Sequence, residues 1–559
     1  MREEQGPGRE GGLWALLYSV EDALCIISLI LLALLPAAEA AARIFFHTGV
    51  PASSGLMIHL LLTAGLAAGM ITTRGNDHLS IALIQHFSGD AVKERIRVFT
   101  NLISACVVTV IAWSAVSFIK IGLQGRLIGF IPDRVFALMI PIGYGVIAVR
   151  FARRTGLSGW KRIFPVLALV LGTALSFPVI AKFIWAFDLP DPVFDLCDRL
   201  YLLAYYLKIP LTVLLIAAAL AGTPLFVVMG GLALLLLEAA GGEMDSVASD
   251  IYTALTNSNI IAIPLFTLVG FFLSESKAGE RLVHTFRSSF SWIPGGMIIA
   301  TVIICAFFTS FTGASGVTIL ALGGILYTIL SEHTRYPERF SIGLLTSVGS
   351  IGLLFPPSLP IILVGAASQT NIFHLFLGGI IPGIILVAAV IVFGIIASLR
   401  IKIPVEPFEP RKALSSLRGS IPEILLPVIL ITGYFTGTFS LVEIGAVGVL
   451  YIFAVEVLIH RDIEFKALPA LFRKAIPIIG GVLSILALSK ALSYYIVDTQ
   501  APANLAKWMQ GAIQSKYVFL LLLNLTLLVV GCLMDIFSAI LIVLPLIVPL
   551  GQAYGIDPV

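Results

Sequence analysis

Charge is what this chain has least of. Asp, Glu, Lys and Arg make up 12% of its 559 residues while 58% are apolar, against about 25% charge in an ordinary soluble domain. With a mean hydropathy of +1.02, that shortage excludes a soluble globule. The net charge of +3 is too small, and its Lys and Arg too dispersed, for a nucleic-acid surface. Cysteine is also scarce. Cys25, Cys106, Cys197, Cys305 and Cys532 lie far apart, four of them in apolar runs and none in a CxxC pair, which excludes a disulfide framework or a zinc knuckle. His59, His78, His284 and His374 have no ligand-like spacing, so neither a transition-metal site nor an organic cofactor is expected. An intramembrane enzyme would need a nucleophile paired with a base, or a metal cluster. Ser315, in Gly313-Ala314-Ser315-Gly316, imitates a nucleophile elbow but lacks the strand-turn-helix context and a nearby His. No enzyme is expected. The N-terminal MREEQGPGREGG is nearly balanced in charge, so residues 14–46 read as a retained helix.

What remains is a polytopic, all-α membrane protein of about 12 to 16 crossings. Apolar runs fall near 14–46, 56–73, 98–119 and 132–151. The loop 74–97 carries Arg74, Lys93, Arg95 and Arg97, and the stretch after the fourth run carries Arg150, Arg153, Arg154, Lys161 and Arg162. Both are expected in the cytoplasm, with loop 120–134 outside, which places the N-terminus inside. A fifth run, 163–186, leads to an acidic stretch with Asp188, Asp191, Asp195 and Asp198, expected as an outer loop. This linking segment divides the chain into a four-helix part, 1–160, a link, 161–205, and a larger part, 206–559. In the larger part Pro210, Pro224, Gly230, Gly231, Pro264 and Gly270 interrupt apolar runs, the mark of broken helices. Residues 379–399 form a full span. The linker Arg400 to Ser420 has five basic residues against two acidic and is expected as a cytoplasmic loop. Further runs follow at 421–439, 441–459, 475–497, 517–533 and 535–550.

The organising stretch is Phe308 to Pro360. It is broken first at Thr312-Gly313-Ala314-Ser315-Gly316 and again at Gly349-Ser350-Ile351-Gly352 with Phe355-Pro356-Pro357-Ser358. Glycine frees the backbone; proline removes a donor and blocks the preceding turn. Unwound backbone at membrane depth is tolerated where protein buries it or where it lines a polar cavity. Half-helix N-termini suit a carboxylate, and exposed carbonyls with Ser or Thr hydroxyls suit a hard cation such as sodium. Two kinks or a tight extramembrane turn would leave the same pattern. Asp535 stands between two apolar runs and serves either as a turn residue at a hairpin tip or in an ion site. Glu443, Glu456, Lys490 and Asp498 are expected at interfaces or in structural pairs.

These residues resemble the membrane component of the tripartite ATP-independent periplasmic (TRAP) transporters, with small and large subunits fused. The small-subunit likeness rests on Thr73-Arg74-Gly75-Asn76-Asp77-His78 and Ile140-Pro141-Ile142-Gly143. The large-subunit likeness rests on Ala262-Ile263-Pro264-Leu265-Phe266, the two breaks, Phe376-Leu377-Gly378-Gly379-Ile380 with Pro382-Gly383, and Met534-Asp535 with Pro545. The resemblance implies a bacterial inner-membrane protein that imports an organic acid, usually a carboxylate, with sodium as coupling ion. A periplasmic substrate-binding protein delivers the substrate. It also implies two inverted repeats, each with a re-entrant hairpin and a discontinuous helix, moving as an elevator. Carried over, the substrate residues are Thr312, Gly313, Ser315, Pro356, Pro357, Ser358 and Asp535, and the sodium residues Ser315, Gly316, Gly349, Ser350, Gly352, Asp535 and Ser538. A partner for Asp535 at the spacing from Ser315 to Pro356 would fall past Val559, so the second repeat is expected to be truncated and the chain as written to insert without catalysing coupled transport. The alternative within transport is a stand-alone sodium/dicarboxylate symporter; the four-helix N-terminal part and the acidic segment argue against it.

Overall fold

The computed structural model describes residues 12–559 except 82, 87, 88, 124, 127–130, 186, 187, 334, 335 and 402–406. Residues 1–11 of the polar N-terminus, parts of loop 120–134 and residues 402–406 near the start of the Arg400–Ser420 linker lie outside the described residues. Among those described, 12 helices are long and apolar enough to cross a membrane, or up to 14 if each of two bent pairs is one span. No strand occurs among the described residues. In lipid, a helix satisfies every backbone group within its own segment, which suits long continuous apolar runs such as these.

Three sequence expectations are corrected. The acidic stretch is not a loop, because Asp191–Leu220 is a 30-residue helix containing Asp191, Asp195 and Asp198. Pro190 is its N-cap and Pro192 falls in the first turn, where a missing N–H costs nothing and carboxylates meet the positive end of the helix dipole. The run 163–186 is bent by 53° between Gly159–Leu175 and Phe177–Trp185, at Ser176 just before Pro178. The basic segments are also more helical than expected. Lys93, Arg95 and Arg97 lie in Asp90–Ile121, and Pro410–Phe435 begins inside the linker, with Glu409 as N-cap.

The chain forms two compact units. The first comprises Met1–Leu29, Ser54–Asn257 and Ile476–Pro558; the second comprises Ile30–Ser53, Ser258–Ala475 and Val559. In the first, Arg150 and Glu21 form a buried ion pair at 2.7 Å, and Arg150 also donates to the Met70 carbonyl at 2.7 Å. Arg74 pairs with Asp22 at 2.7 Å. The Thr73–His78 motif is a tie between helix ends: Arg154 donates to the Arg74 carbonyl and to Asn76 Oδ1, and Thr73 Oγ1 lies 2.7 Å from His78 Nε2. Burial against Phe226 and Phe151, and then the Arg154 charge, lower the His78 pKa to about 3, so the imidazole is neutral.

In the second unit, Arg281 is a hub. Its guanidinium contacts Glu423 at 2.6 Å, Glu456 at 2.7 Å and Asp462, and the Glu423 and Glu456 side chains are fully buried. The arrangement ties the amphipathic helix Ala278–Phe290 to Pro410–Phe435 and to the end of Leu441–Ile459. Glu443 completes a capping box with Ser440 and pairs with Arg43 at 2.8 Å. Glu443 and Glu456 are therefore structural pairs, as their place in apolar runs predicted.

Candidate functional site

The first break is a sharp turn between two short apolar helices, Gly296–Thr312 and Ser315–Thr328. Gly313 adopts φ +66° and Ala314 is extended. The left-handed backbone at Gly313 is open to glycine at no steric cost. The second break lies between Glu338–Leu354 and Leu359–Ser368, which differ in direction by 48°. The α-helix ends at Val348, a 3-10 turn covers Ile351–Leu354, and Phe355 to Ser358 lie outside any helix. Pro356 and Pro357 lack donors, so the chain cannot continue its ladder through them.

The two breaks meet within the second unit. Thr309 Oγ1 donates to the Gly349 carbonyl at 2.9 Å and lies 2.9 Å from Thr318 Oγ1, which is also 2.9 Å from Thr312 Oγ1. These hydroxyls form a buried polar string between the hairpin and the unwound segment. A Cβ at Gly313 would fall 2.5 Å from Leu359 Cδ1, and one at Gly352 would fall 2.2 Å from the Ala306 carbonyl. Such approaches leave no room for a side chain. Ala262–Glu275 packs on Gly296–Thr312, so the Ala262-Ile263-Pro264-Leu265-Phe266 motif opens a helix that supports the hairpin.

The predicted residues are not equivalent there. Ser358 is fully buried and its hydroxyl has no protein partner, although it occupies the N-cap of Leu359–Ser368. Ser315 is half-buried at the start of its helix and Gly316 is exposed. Ser350 is exposed, with its hydroxyl donating to the Ser347 carbonyl. The Gly349 carbonyl accepts from Thr309, and the Gly352 carbonyl accepts from the Phe355 amide at 3.1 Å. Asp535 and Ser538 belong to the other unit. There Asp535 caps Ile536–Ala553, accepting from the Phe537 and Ser538 amides at 3.0 and 3.1 Å and from the Ser538 hydroxyl.

Sequence reasoning passed over Thr309 and Thr318, though Thr309 and Thr312 stand i, i+3 on one helix face. It also passed over Glu238, a buried carboxylate whose two oxygens have no protein partner, beside a leucine-rich cavity of about 470 Å³. The signal was a lone acid closing an apolar run.

Two family profiles match the chain. The one described as "Tripartite ATP-independent periplasmic transporters, DctQ component" matches residues 32–162, and the one described as "Tripartite ATP-independent periplasmic transporter, DctM component" matches residues 209–559. A C4-dicarboxylate TRAP transporter large permease protein from Pseudomonas aeruginosa is 29% identical over 329 residues, 58% of this chain and 77% of that protein. An isethionate TRAP transporter permease protein from Oleidesulfovibrio alaskensis, whose name joins both components, is 27% identical over 467 residues, 82% of this chain and 71% of that protein. An ectoine TRAP transporter large permease protein from Halomonas elongata is 26% identical over 362 residues, 64% and 81% of the two chains. With both component profiles matched in order along one polypeptide, the chain belongs to the tripartite ATP-independent periplasmic transporter family as a fused permease.

Proposed function

We propose that the chain imports an organic acid, a carboxylate of the C4-dicarboxylate kind or a relative of it, using a sodium gradient and a periplasmic binding protein that hands the substrate over. The single observation that carries this reading is the buried, partnerless Ser358 hydroxyl at the break facing the hairpin. A buried hydroxyl left unpaired costs about 1–3 kcal/mol, and a bound cation at that oxygen removes the cost. Oxygen donors of neutral hydroxyl and carbonyl type suit a hard monovalent ion. The helices beginning at Ser315 and Leu359 offer positive ends to a carboxylate. In this reading Thr312, Gly313, Ser315, Pro356, Pro357 and Ser358 face the substrate. Ser358 and Ser315 hold the sodium ion with Gly316, Gly349 and Gly352 around it, Ser350 lies at its exposed rim with its hydroxyl turned to the Ser347 carbonyl, and Asp535 with Ser538 serves the second repeat. Residues 1–160 act as scaffold, 161–205 as link and 206–559 as the transport part, which moves as an elevator in a bacterial inner membrane with its N-terminus in the cytoplasm.

Proteoliposomes holding the purified complete protein, an inward sodium or potassium gradient, and the cognate binding protein loaded with labelled substrate test the reading. Uptake is expected with sodium and binding protein together. Equal uptake in potassium removes the coupling ion, and equal uptake without the binding protein favours a stand-alone symporter.

A further inference from the structure

The cavity beside Glu238 lies wholly within the first unit and measures about 470 Å³, the size of a small-molecule site, roughly 300–1,000 Å³. Its wall is built by Asp90–Ile121, Ile163–Leu175, Asp191–Leu220 and Leu225–Ala239, with Met244 just beyond. Every lining residue but one is apolar. Leu171, Leu175, Leu203 and Leu207 on this wall are also exposed on the outside of the unit. The cavity therefore opens sideways between apolar helices, and what enters it comes from the hydrocarbon of the bilayer.

Glu238 is the exception in the wall. It is 4% exposed, and neither of its carboxylate oxygens has a hydrogen-bond partner among the described residues. The acids that follow it are satisfied, since Glu243 and Asp245 both pair with Lys182, at 2.8 and 3.1 Å. A carboxyl kept from water without a partner is costly to the fold. In an apolar setting such a residue marks a place where a donor belongs.

We propose that this cavity binds a lipophilic amine, with its hydrocarbon chain against the leucines and its ammonium group on the Glu238 carboxylate. The composition of the wall selects this class. A fatty acid would set a second carboxylate against Glu238, and a phospholipid would bring its phosphate to a wall without Lys, Arg or His. A fatty alcohol supplies a neutral donor, whereas an ammonium donates to the carboxylate with both partners charged, a bond about twice as strong. A ligand so held braces Ile163–Leu175 of the link against Asp90–Ile121 of the four-helix part. None of the break residues lines the cavity, so the binding holds whichever ion drives transport.

The test uses the full-length protein in a short-chain non-ionic detergent. Native mass spectrometry follows retention of dodecylamine, dodecanol, dodecanoate and phosphatidylethanolamine at equal concentration, and the melting temperature is read in parallel. Dodecylamine is expected to be retained and to raise the melting temperature, with the other three retained about tenfold less or weaker still. E238Q keeps the shape of the side chain and removes its charge, so it should weaken dodecylamine retention about tenfold and leave dodecanol unchanged. L171W, at a position 54% exposed on the rim, should narrow the mouth and weaken dodecylamine retention as well; it carries the test if E238Q fails to accumulate. E280Q removes an exposed acid that does not line the cavity and should retain dodecylamine as the native protein does. Equal dodecylamine retention by E238Q or L171W and E280Q, equal retention of dodecanol and dodecylamine by the native protein, or a preference for phosphatidylethanolamine would each overturn the proposal.

Discussion

Gly313 and Leu359 touch so closely that a single added carbon at Gly313 would sit 2.5 Å from Leu359 Cδ1. One residue is the turn of the hairpin and the other begins the helix after the proline break. The two interruptions of the chain are thus parts of one packed object.

G313A should lose about 1–3 kcal/mol of stability, from a positive φ in a residue with a Cβ and from overpacking on Leu359. G324A, at a helical position with open space around it, should be neutral or slightly stabilising. Melting of both variants in detergent decides the matter, and equal behaviour would show that the tip is not tightly seated.

R281Q should be more damaging than any hairpin variant. It leaves the fully buried Glu423 and Glu456 without their cation, and breaking a buried pair in this way costs about 3–5 kcal/mol. Adding E456Q should recover part of the loss, because it removes one of the stranded charges. A double variant no more stable than R281Q alone would contradict this account of the hub.

Burial by itself would raise the pKa of Asp462, but the hydrogen bond and charge of Arg281 outweigh it and hold the carboxyl below its ordinary value of 3.8. A carboxyl with a depressed folded-state pKa stabilises above its unfolded pKa, and the contribution is lost as pH falls through the folded value. The melting temperature of the native protein should therefore exceed that of D462N at neutral pH, with the difference shrinking below about pH 4. A difference that widens toward low pH would reverse the sign.

Single cysteines at Asp188 and Lys412 report orientation. The acidic end of Asp191–Leu220 is expected outside and the basic start of Pro410–Phe435 inside. In intact spheroplasts an impermeant thiol reagent should label the first and spare the second. The opposite pattern would invert the topology.

The breaks were legible in the sequence because glycine and proline act locally: Gly313 and Pro356-Pro357 interrupt the chain where their backbone chemistry requires it. The same rule, applied too broadly, misread the acidic stretch, since Pro192 is harmless in a first turn and Asp191, Asp195 and Asp198 share one helix face at i, i+4 and i+7. The Arg281 hub was only half legible. Glu456 stood out as a charge needing a partner, yet that partner is 175 residues away, and no local pattern names it. Nor does the sequence separate Ser350 from Ser358; the turn after Val348 leaves the first exposed and the packing of the break buries the second.

Ser358 bears the central claim, and a sodium titration of uptake tests it directly. Native protein, S358A and S350A are compared in proteoliposomes with saturating loaded binding protein. S358A should fold normally, because its hydroxyl has no protein partner to lose, and should raise the sodium concentration for half-maximal uptake by more than about twofold, equivalent to about 0.4 kcal/mol or more. S350A, whose hydroxyl is exposed and bonded to its own helix, should shift it by less. An S358A curve that overlays the native one would contradict the claim that the paired breaks hold the ion.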